Sequence, residues 1–352
     1  MNWLLLFVPV AIGLEFLAPE RHLLVFATSS LAILPLAGWM GRATEELAER
    51  LGEGIGGFLN ATFGNAAELI IALAALRAGL HDVVKASIAG SIVGNILLVL
   101  GAAMLAGGLR HREQHFNPAG ARSQATMLTL AAIALILPAA FRVAAGTTPD
   151  GLGRLSIAIS VVLLSAYLLY LVFTLVTHSA LFAGSHMPEE KRAHGSVGRA
   201  ASVLAVTTAG IAWMSEIMVS AIAPAAEELG LSDVFVGVFV VAVVGNAAEH
   251  ATAITVAMKD RMDLSLSIAF GSSVQVALFV APVLVLASLF LGPKAMDLAF
   301  PAGLVLIILL SVLITGQVAG DGRSDWLKGM QLLTVYLVLA LTYFFLPGSA
   351  SH

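Results

Sequence analysis

The chain has 352 residues, of which 59% are hydrophobic and 11% charged, and its formal net charge is -4. Soluble domains carry about 25% charged residues, so this composition excludes water as the solvent for most of the chain. The charge gives no sign of nucleic-acid binding, and a sequence with no cysteine has no disulfides, thiolate metal sites or cysteine nucleophiles.

Eleven apolar segments, separated by charged or Pro/Gly-rich breaks, follow one another along the sequence. Helices of roughly 18 or more apolar residues are long enough to cross a hydrocarbon core of ~30 Å. The predicted helices span residues 3–18, 22–51, 54–79, 83–108, 122–141, 153–178, 197–229, 232–258, 262–291, 299–316 and 326–346. We therefore predict an all-α polytopic membrane protein with about eleven transmembrane helices in a lipid bilayer.

The first segment, residues 1–20, has no basic region before its apolar run and no small-residue cleavage site. We expect an extra N-terminal transmembrane helix rather than a signal peptide. With the N-terminus in the cytoplasm, twelve of the eighteen Lys and Arg residues lie at cytoplasmic helix ends. The sequence thus predicts an integral membrane protein with a cytoplasmic N-terminus, and its short tails and lack of a targeting segment favour the inner membrane of a prokaryotic cell.

The most polar connection is residues 184–198, with the sequence GSHMPEEKRAHGSVG. It mixes two glutamates with a lysine and an arginine and lies between the sixth and seventh predicted helices. We expect a cytoplasmic, solvated linker; an ion-sensing segment is the alternative.

The sequence GNAAE occurs twice, at residues 64–68 and 245–249, with an offset of 181. The same offset maps Asp82 onto Asp263, and Gly90 and Ser91 onto Gly271 and Ser272. An offset that contains five helices turns the second copy upside down, because an odd number of crossings reverses direction. We therefore predict two inverted five-helix repeats, residues 21–183 and 199–352.

Each GNAAE copy places a glutamate near the middle of a predicted helix. An acidic residue there costs roughly 2.5 to 3.5 kcal/mol on insertion scales, so it needs a cation, a proton or a polar partner. Asparagine three residues earlier shares its helical face. Glycine in each copy permits local unwinding that exposes backbone carbonyls, although close helix packing is an equally good reason for glycine. The predicted metal ligands are Glu68, Glu249, Asn65, Asn246, Gly64 and Gly245.

Further polar residues lie near these glutamates in the predicted helices. Those predicted to support the site are Ser91, Asn95, Ser272, Gln275 and His250, and Glu45 and Glu216 are two further acids at helix positions. His250 directly follows Glu249 and points to another side of the helix, which favours a supporting or packing role over ligation. Glu45 has a competing interpretation as part of a solvated helix end with Glu46 and Glu49.

The ligand chemistry indicates the ion. Glutamate, amide, hydroxyl and carbonyl oxygens are hard ligands, and a flexible cage of them with two carboxylates suits Ca²⁺ better than zinc or copper. Two glutamates in a low dielectric do not both stay charged without a cation, so protons compete with Ca²⁺. We expect Glu68 and Glu249 to couple the two ions, with Ca²⁺ as the transported substrate and no resident cofactor.

At these residues the sequence resembles the cation/proton exchanger (CAX) family of the calcium:cation antiporter superfamily. The resemblance covers helices two to eleven and is most specific at GNAAE and GNAAEH. It implies two inverted five-helix repeats plus an extra first helix, and exchange of Ca²⁺ for H⁺ by alternating access. It also implies central ligand roles for Glu68 and Glu249, with Glu45 and Glu216 assisting cation access.

Other functions remain open at this point. A Na⁺/Ca²⁺ or other divalent-cation exchanger is the nearest, although its usual GTS-x-PE pattern is replaced here by GNAAE. An intramembrane metalloenzyme is disfavoured because the sequence has no HExxH. The sequence leaves open a homo-oligomer and the transport of Cd²⁺ or Mn²⁺.

Overall fold

A computed structural model describes residues 2–51, 56, 59, 62–145, 149–178 and 196–345. Within these residues the chain is almost entirely helical. The two short strands, β1 (Gln114–His115) and β2 (Arg323–Ser324), pair in antiparallel fashion. Most of the predicted linker, 184–195, lies outside the described residues.

The helices of the first half begin after a 3₁₀ turn, Asn2–Leu6. They are α1 (Phe7–Leu17), α2 (His22–Leu51), α3 (Ala66–Arg77), α4 (His81–Arg110), α5 (Pro118–Ala145) and α6 (Pro149–Val172). Those of the second half are α7 (Val197–Glu228), α8 (Asp233–Ala257), α9 (Met262–Ala287), α10 (Ala302–Val318) and α11 (Trp326–Phe344). Each predicted segment overlaps one of these helices.

Among the described residues, eight helices are long and apolar enough to cross a membrane: α2, α4 to α9 and α11. Helices suit this environment because they satisfy their backbone hydrogen bonds internally. The first helix, with its 3₁₀ turn, and α10 are shorter apolar helices. Only twelve residues of α3 are described as helix. The structure is thus that of a helical membrane protein, and the number of eleven crossings stays a prediction.

Four π-helical turns belong to the long helices of the described residues: Gly94–Val99 in α4, Phe173–Thr177 at the end of α6, Val236–Val241 in α8 and Val276–Val280 in α9. The offset of 181 between the two GNAAE copies carries residues 95–99 onto 276–280. The turns in α4 and α9 therefore occupy equivalent positions, although Asn95 corresponds to the apolar Val276. Such turns insert an extra residue and are frequent at functional sites.

The chain forms two compact units. The first consists of Met1–Ser87, Glu190–Ala248 and Thr342–His352. Its core is the packing of α2 against α7, with α3 also in contact with α7. In the same unit α8 lies close to the start of α4. If Gly237 carried a Cβ, that atom would lie 2.6 Å from Ala86 Cβ.

The second unit consists of Ile88–Glu189 and Glu249–Leu341. Within it α5 packs against α9 and α10, and α9 also contacts α4 and α6. Gln114, which is buried, donates hydrogen bonds of 2.9 Å to the carbonyl of Ala257 and to Asp260 Oδ1. Together with the β1–β2 pair, these bonds join the loops that follow α4, α8 and α10 on one face of the unit.

Candidate ion-binding site

Glu68 lies in the first turn of α3, directly after a break in the helical backbone. Gly64 and Asn65 form a turn, and α3 begins at Ala66. Glycine and asparagine both favour turns and therefore permit a break at this point. The free amides and dipole at a helix start favour a negative charge, so the local backbone stabilises the Glu68 carboxylate.

The second GNAAE copy differs from the first in backbone conformation. Gly245 and Asn246 lie inside the regular helix Ala242–Ala257, and the irregular π turn precedes them. The predicted unwinding therefore occurs at Gly64 but not at Gly245. The reason for a glycine at position 245 is close packing, because a Cβ there would lie 2.9 Å from Glu68 Cγ.

Glu68 and Asn246, from different GNAAE copies, are hydrogen-bonded to each other. The Glu68 residue is 7% exposed, and its Oε1 accepts a hydrogen bond from Asn246 Nδ2. Asn246 is 2% exposed, and its Nδ2 also lies 2.9 Å from the carbonyl oxygen of Ala242. Asn65 is equally buried, whereas Gly64 is exposed. The first unit thus brings together a buried carboxylate and amide with Gly245 against them.

In the second unit, Asn95 connects two other predicted residues. Asn95 Nδ2 donates a 3.0 Å hydrogen bond to Ser272 Oγ, and its Oδ1 lies 3.1 Å from His250 Nε2. Because an amide oxygen only accepts, this contact places the hydrogen on His250 Nε2. His250 therefore holds the Asn95 amide through this contact, and its supporting role in an ion site stays a prediction.

The remaining predicted residues of the second unit lie on the same helices. Ser91 and Gln275 are buried on α4 and α9. Glu249 is half-buried on α8, three residues after Asn246. Its role as an ion ligand stays a prediction.

Glu216 forms an ion pair that the sequence did not predict. Arg77 Nη1, at the end of α3, lies 2.9 Å from Glu216 Oε1 on α7, with side-chain exposures of 62% and 50%. The two residues are 139 positions apart, so no local pattern could have joined them. Glu45 is exposed on α2, away from the buried positions of that helix.

Lys85 is a second basic residue that was not among the predicted site residues. It is buried in the second turn of α4. Lys85 lies about 200° around the helix from Ser87, so the serine positions of α4 give no signal for its burial.

Comparison with known proteins identifies relatives over nearly the whole chain. The family model described as "Sodium/calcium exchanger protein" matches residues 21–176 and 199–345. The Ca(2+)/H(+) antiporter of Aphanothece halophytica is 46% identical over 98% of this chain and 96% of its own length. The Ca(2+)/H(+) antiporter ChaA of Bacillus subtilis is 42% identical over 92% of each chain. The solved structure of native YfkE superposes with a TM-score of 0.82 at 38% identity, covering 97% of this chain and all of that one (100%).

Proposed function

Because the chain belongs to the sodium/calcium exchanger protein family, we propose that it is a secondary active antiporter that exchanges Ca²⁺ for H⁺. The observation that carries this proposal is the buried Glu68 carboxylate, bonded to Asn246 of the other GNAAE copy. A buried carboxylate in a membrane-spanning chain is costly, and reversible loading with a cation or a proton offsets that cost. The two relatives named Ca(2+)/H(+) antiporters support the choice of ions.

In the proposed site, Glu68 and Glu249 bind Ca²⁺ through their carboxylate oxygens. The amide oxygens of Asn65 and Asn246 and a backbone carbonyl at Gly64, where the helix is broken, complete an oxygen cage, which is the ligand type that Ca²⁺ prefers. Gly245 lies in regular helix, so its proposed part is to let α8 pack against Glu68. When Ca²⁺ leaves, two uncompensated negative charges in a low dielectric favour uptake of protons. The same carboxylates therefore bind Ca²⁺ and protons in turn. An empty site with two negative charges disfavours the conformational change that moves its opening from one side of the membrane to the other.

Two inverted five-helix repeats supply the route for alternating access in this proposal. The π turns of α4 and α9, at equivalent positions of the two GNAAE-related segments, support the repeat. The family match also divides into two stretches, which begin at residues 21 and 199, where the predicted repeats begin. The loops joined by Gln114 all follow helices predicted to end on the same side of the membrane, which supports the predicted alternation of crossings. That this side is the cytoplasm, with the N-terminus inside, is the orientation we propose from the distribution of Lys and Arg.

Flux measurements in proteoliposomes test the exchange. Vesicles with an acidic lumen are expected to take up Ca²⁺ from sodium-free medium, because protons leaving down their gradient drive the exchange. A protonophore should abolish the uptake. Uptake that follows an outward sodium gradient and ignores the pH gradient would instead identify a Na⁺/Ca²⁺ exchanger, the second candidate, which the family's description supports.

Glu216 is proposed to help admit the cation, and in the structure its carboxylate already holds the Arg77 guanidinium. A divalent cation that reaches Glu216 must displace this guanidinium. The ion pair is exposed, so the competition is modest, since such pairs contribute about 0 to 1 kcal/mol.

Removal of the Arg77 charge tests this competition. Arg77→Gln is expected to lower the KM for Ca²⁺ by up to about fivefold, because an exposed pair contributes no more than ~1 kcal/mol. Initial rates of Ca²⁺ uptake over a range of Ca²⁺ concentrations give this KM. Arg77→Lys retains the positive charge and is the control, with a KM near that of the wild type. An unchanged KM in Arg77→Gln would show that Arg77 does not compete with the cation.

A further inference from the structure

The π turn of α4 changes the hydrogen-bond partners of the backbone around Asn95. In a regular α-helix the amide of Leu100 would bond to the carbonyl of Ile96, four residues earlier. Here the Leu100 amide bonds to the carbonyls of Asn95 and Leu97, on either side of it. The Ile96 carbonyl is fully buried, so it needs a donor from elsewhere.

Thr315 of α10 provides that donor. Its hydroxyl donates to the Ile96 carbonyl oxygen at 3.3 Å, and its residue is 0% exposed. Hydroxyls in helices usually donate to a carbonyl three or four residues earlier in their own helix. Ser311, one turn earlier on α10, does so at 2.6 Å to Ile307. Thr315 instead bonds across to α4.

The register of this turn determines where Asn95 points. Asn95 directly precedes Ile96 and is bonded to Ser272 and to His250. The π turn contains one residue more than a regular α-helical turn. If it returned to regular α-helix, the part of α4 on one side of the turn would rotate by about 100° relative to the part on the other side. The contacts of Asn95 therefore depend on the π turn being kept.

We propose that Thr315 is a positioning residue for ion exchange, which holds the π turn of α4 by satisfying the Ile96 carbonyl. The proposal rests on the function proposed above, in which Asn95 and His250 stand beside the Ca²⁺ site. Without the hydroxyl, the buried carbonyl is satisfied only if the Leu100 amide returns to it. The turn then reverts to α-helix and Asn95 rotates away from Ser272 and His250.

Three variants test the proposal by initial-rate Ca²⁺ flux in proteoliposomes. Thr315→Val keeps the side-chain shape and removes the hydroxyl, and we expect the KM for Ca²⁺ to rise about three- to tenfold, as for the loss of one buried hydrogen bond. The maximal rate should change little. Thr315→Ser keeps the hydroxyl and should restore the wild-type KM. Ser311→Ala is the matched control, because it removes an equally buried hydroxyl of α10 that bonds within its own helix.

A double-mutant cycle shows whether Thr315 acts through Asn95. In the Asn95→Ala background, Thr315→Val should no longer raise the KM. If Asn95→Ala by itself removes measurable flux, Ser272→Ala, which deletes one of the two partners of Asn95, serves as the background. If Thr315→Val does not give folded protein, Thr315→Ala replaces it.

Two results would overturn the proposal. One is a KM that does not change in Thr315→Val. This includes the case in which Thr315→Val and Ser311→Ala both lower the maximal rate and leave the KM unchanged. The other is a full Thr315→Val effect in both backgrounds, which would mean that Thr315 acts independently of Asn95. Failure of the proposed function is separate, since it would appear as the absence of Ca²⁺ flux in the wild-type protein.

Discussion

Glu68→Gln is expected to abolish proton-driven Ca²⁺ uptake, with a fall in initial rate of about 100-fold or more. The substitution keeps the shape of the side chain, and its amide oxygen can still accept the hydrogen bond from Asn246 Nδ2. What it removes is the charge that attracts Ca²⁺ and the group that carries the proton. Loss of one partner from a buried charged pair costs roughly 3 to 5 kcal/mol, which corresponds to a fall of about 100-fold or more in rate or affinity.

Two further variants make this result specific. Glu249→Gln is expected to show a loss of the same size if the two glutamates share the ion. Glu46→Gln is the control, because Glu46 lies near the end of α2 in an i,i+4 pair with Arg50 (3.8 Å), and such pairs contribute little. Its flux should match the wild type. Retained flux in Glu68→Gln or in Glu249→Gln, with the protein folded, would contradict the assignment of that residue to the site.

Protons should also compete with Ca²⁺ in the wild-type protein. A lower pH on the side from which Ca²⁺ binds is expected to raise the KM for Ca²⁺, because a protonated carboxylate does not bind the ion. This pH dependence of the KM is measured in the same flux assay. A KM that is constant while the pH on that side is lowered would argue against a common site.

Much of this arrangement follows from the sequence, because bilayer thickness and helix geometry leave few choices for an apolar chain. The predicted segments overlap the observed helices for this reason. The common offset of the GNAAE copies likewise predicts that both contribute to one function, and the Glu68–Asn246 hydrogen bond brings a residue from each copy together. These features depend on hydrophobicity and repetition, which a single sequence displays directly.

The conformations within the helices did not follow in the same way. The first GNAAE copy, from Gly64, lies at the start of a helix, whereas the second, from Gly245, lies inside a continuous one. The local sequence alone therefore does not decide where the helical backbone breaks. The π turn of α4 receives a hydrogen bond at Ile96 from a hydroxyl 219 positions away. The pairing of Arg77 with Glu216 is equally distant in sequence. Contacts of this kind arise from tertiary packing, which overrides local preference.

The close approach of Gly245 to Glu68 leads to the second large expected effect. A Cβ on Gly245 would lie 2.9 Å from Glu68 Cγ and 3.7 Å from its Cα, so Gly245→Ala requires either the Glu68 side chain or α8 to move. The Glu68 carboxylate is hydrogen-bonded to Asn246, which follows Gly245 on α8. A shift of the Glu68 side chain and a shift of α8 would therefore each disturb the carboxylate. Overpacking of this kind costs about 1 to 3 kcal/mol, and we expect the KM for Ca²⁺ to rise roughly 10- to 100-fold.

Gly41→Ala is the matched control for this substitution. Gly41 lies on α2 in the same unit, and a Cβ there would meet nothing within 4 Å. Alanine is a better helix former than glycine by about 1 kcal/mol, so neither substitution should weaken its helix. Gly41→Ala should retain the wild-type KM, and Gly245→Val should exceed Gly245→Ala in its effect. A wild-type KM in Gly245→Ala, measured on protein with an unchanged melting temperature, would mean that the position of Glu68 beside α8 does not control Ca²⁺ binding.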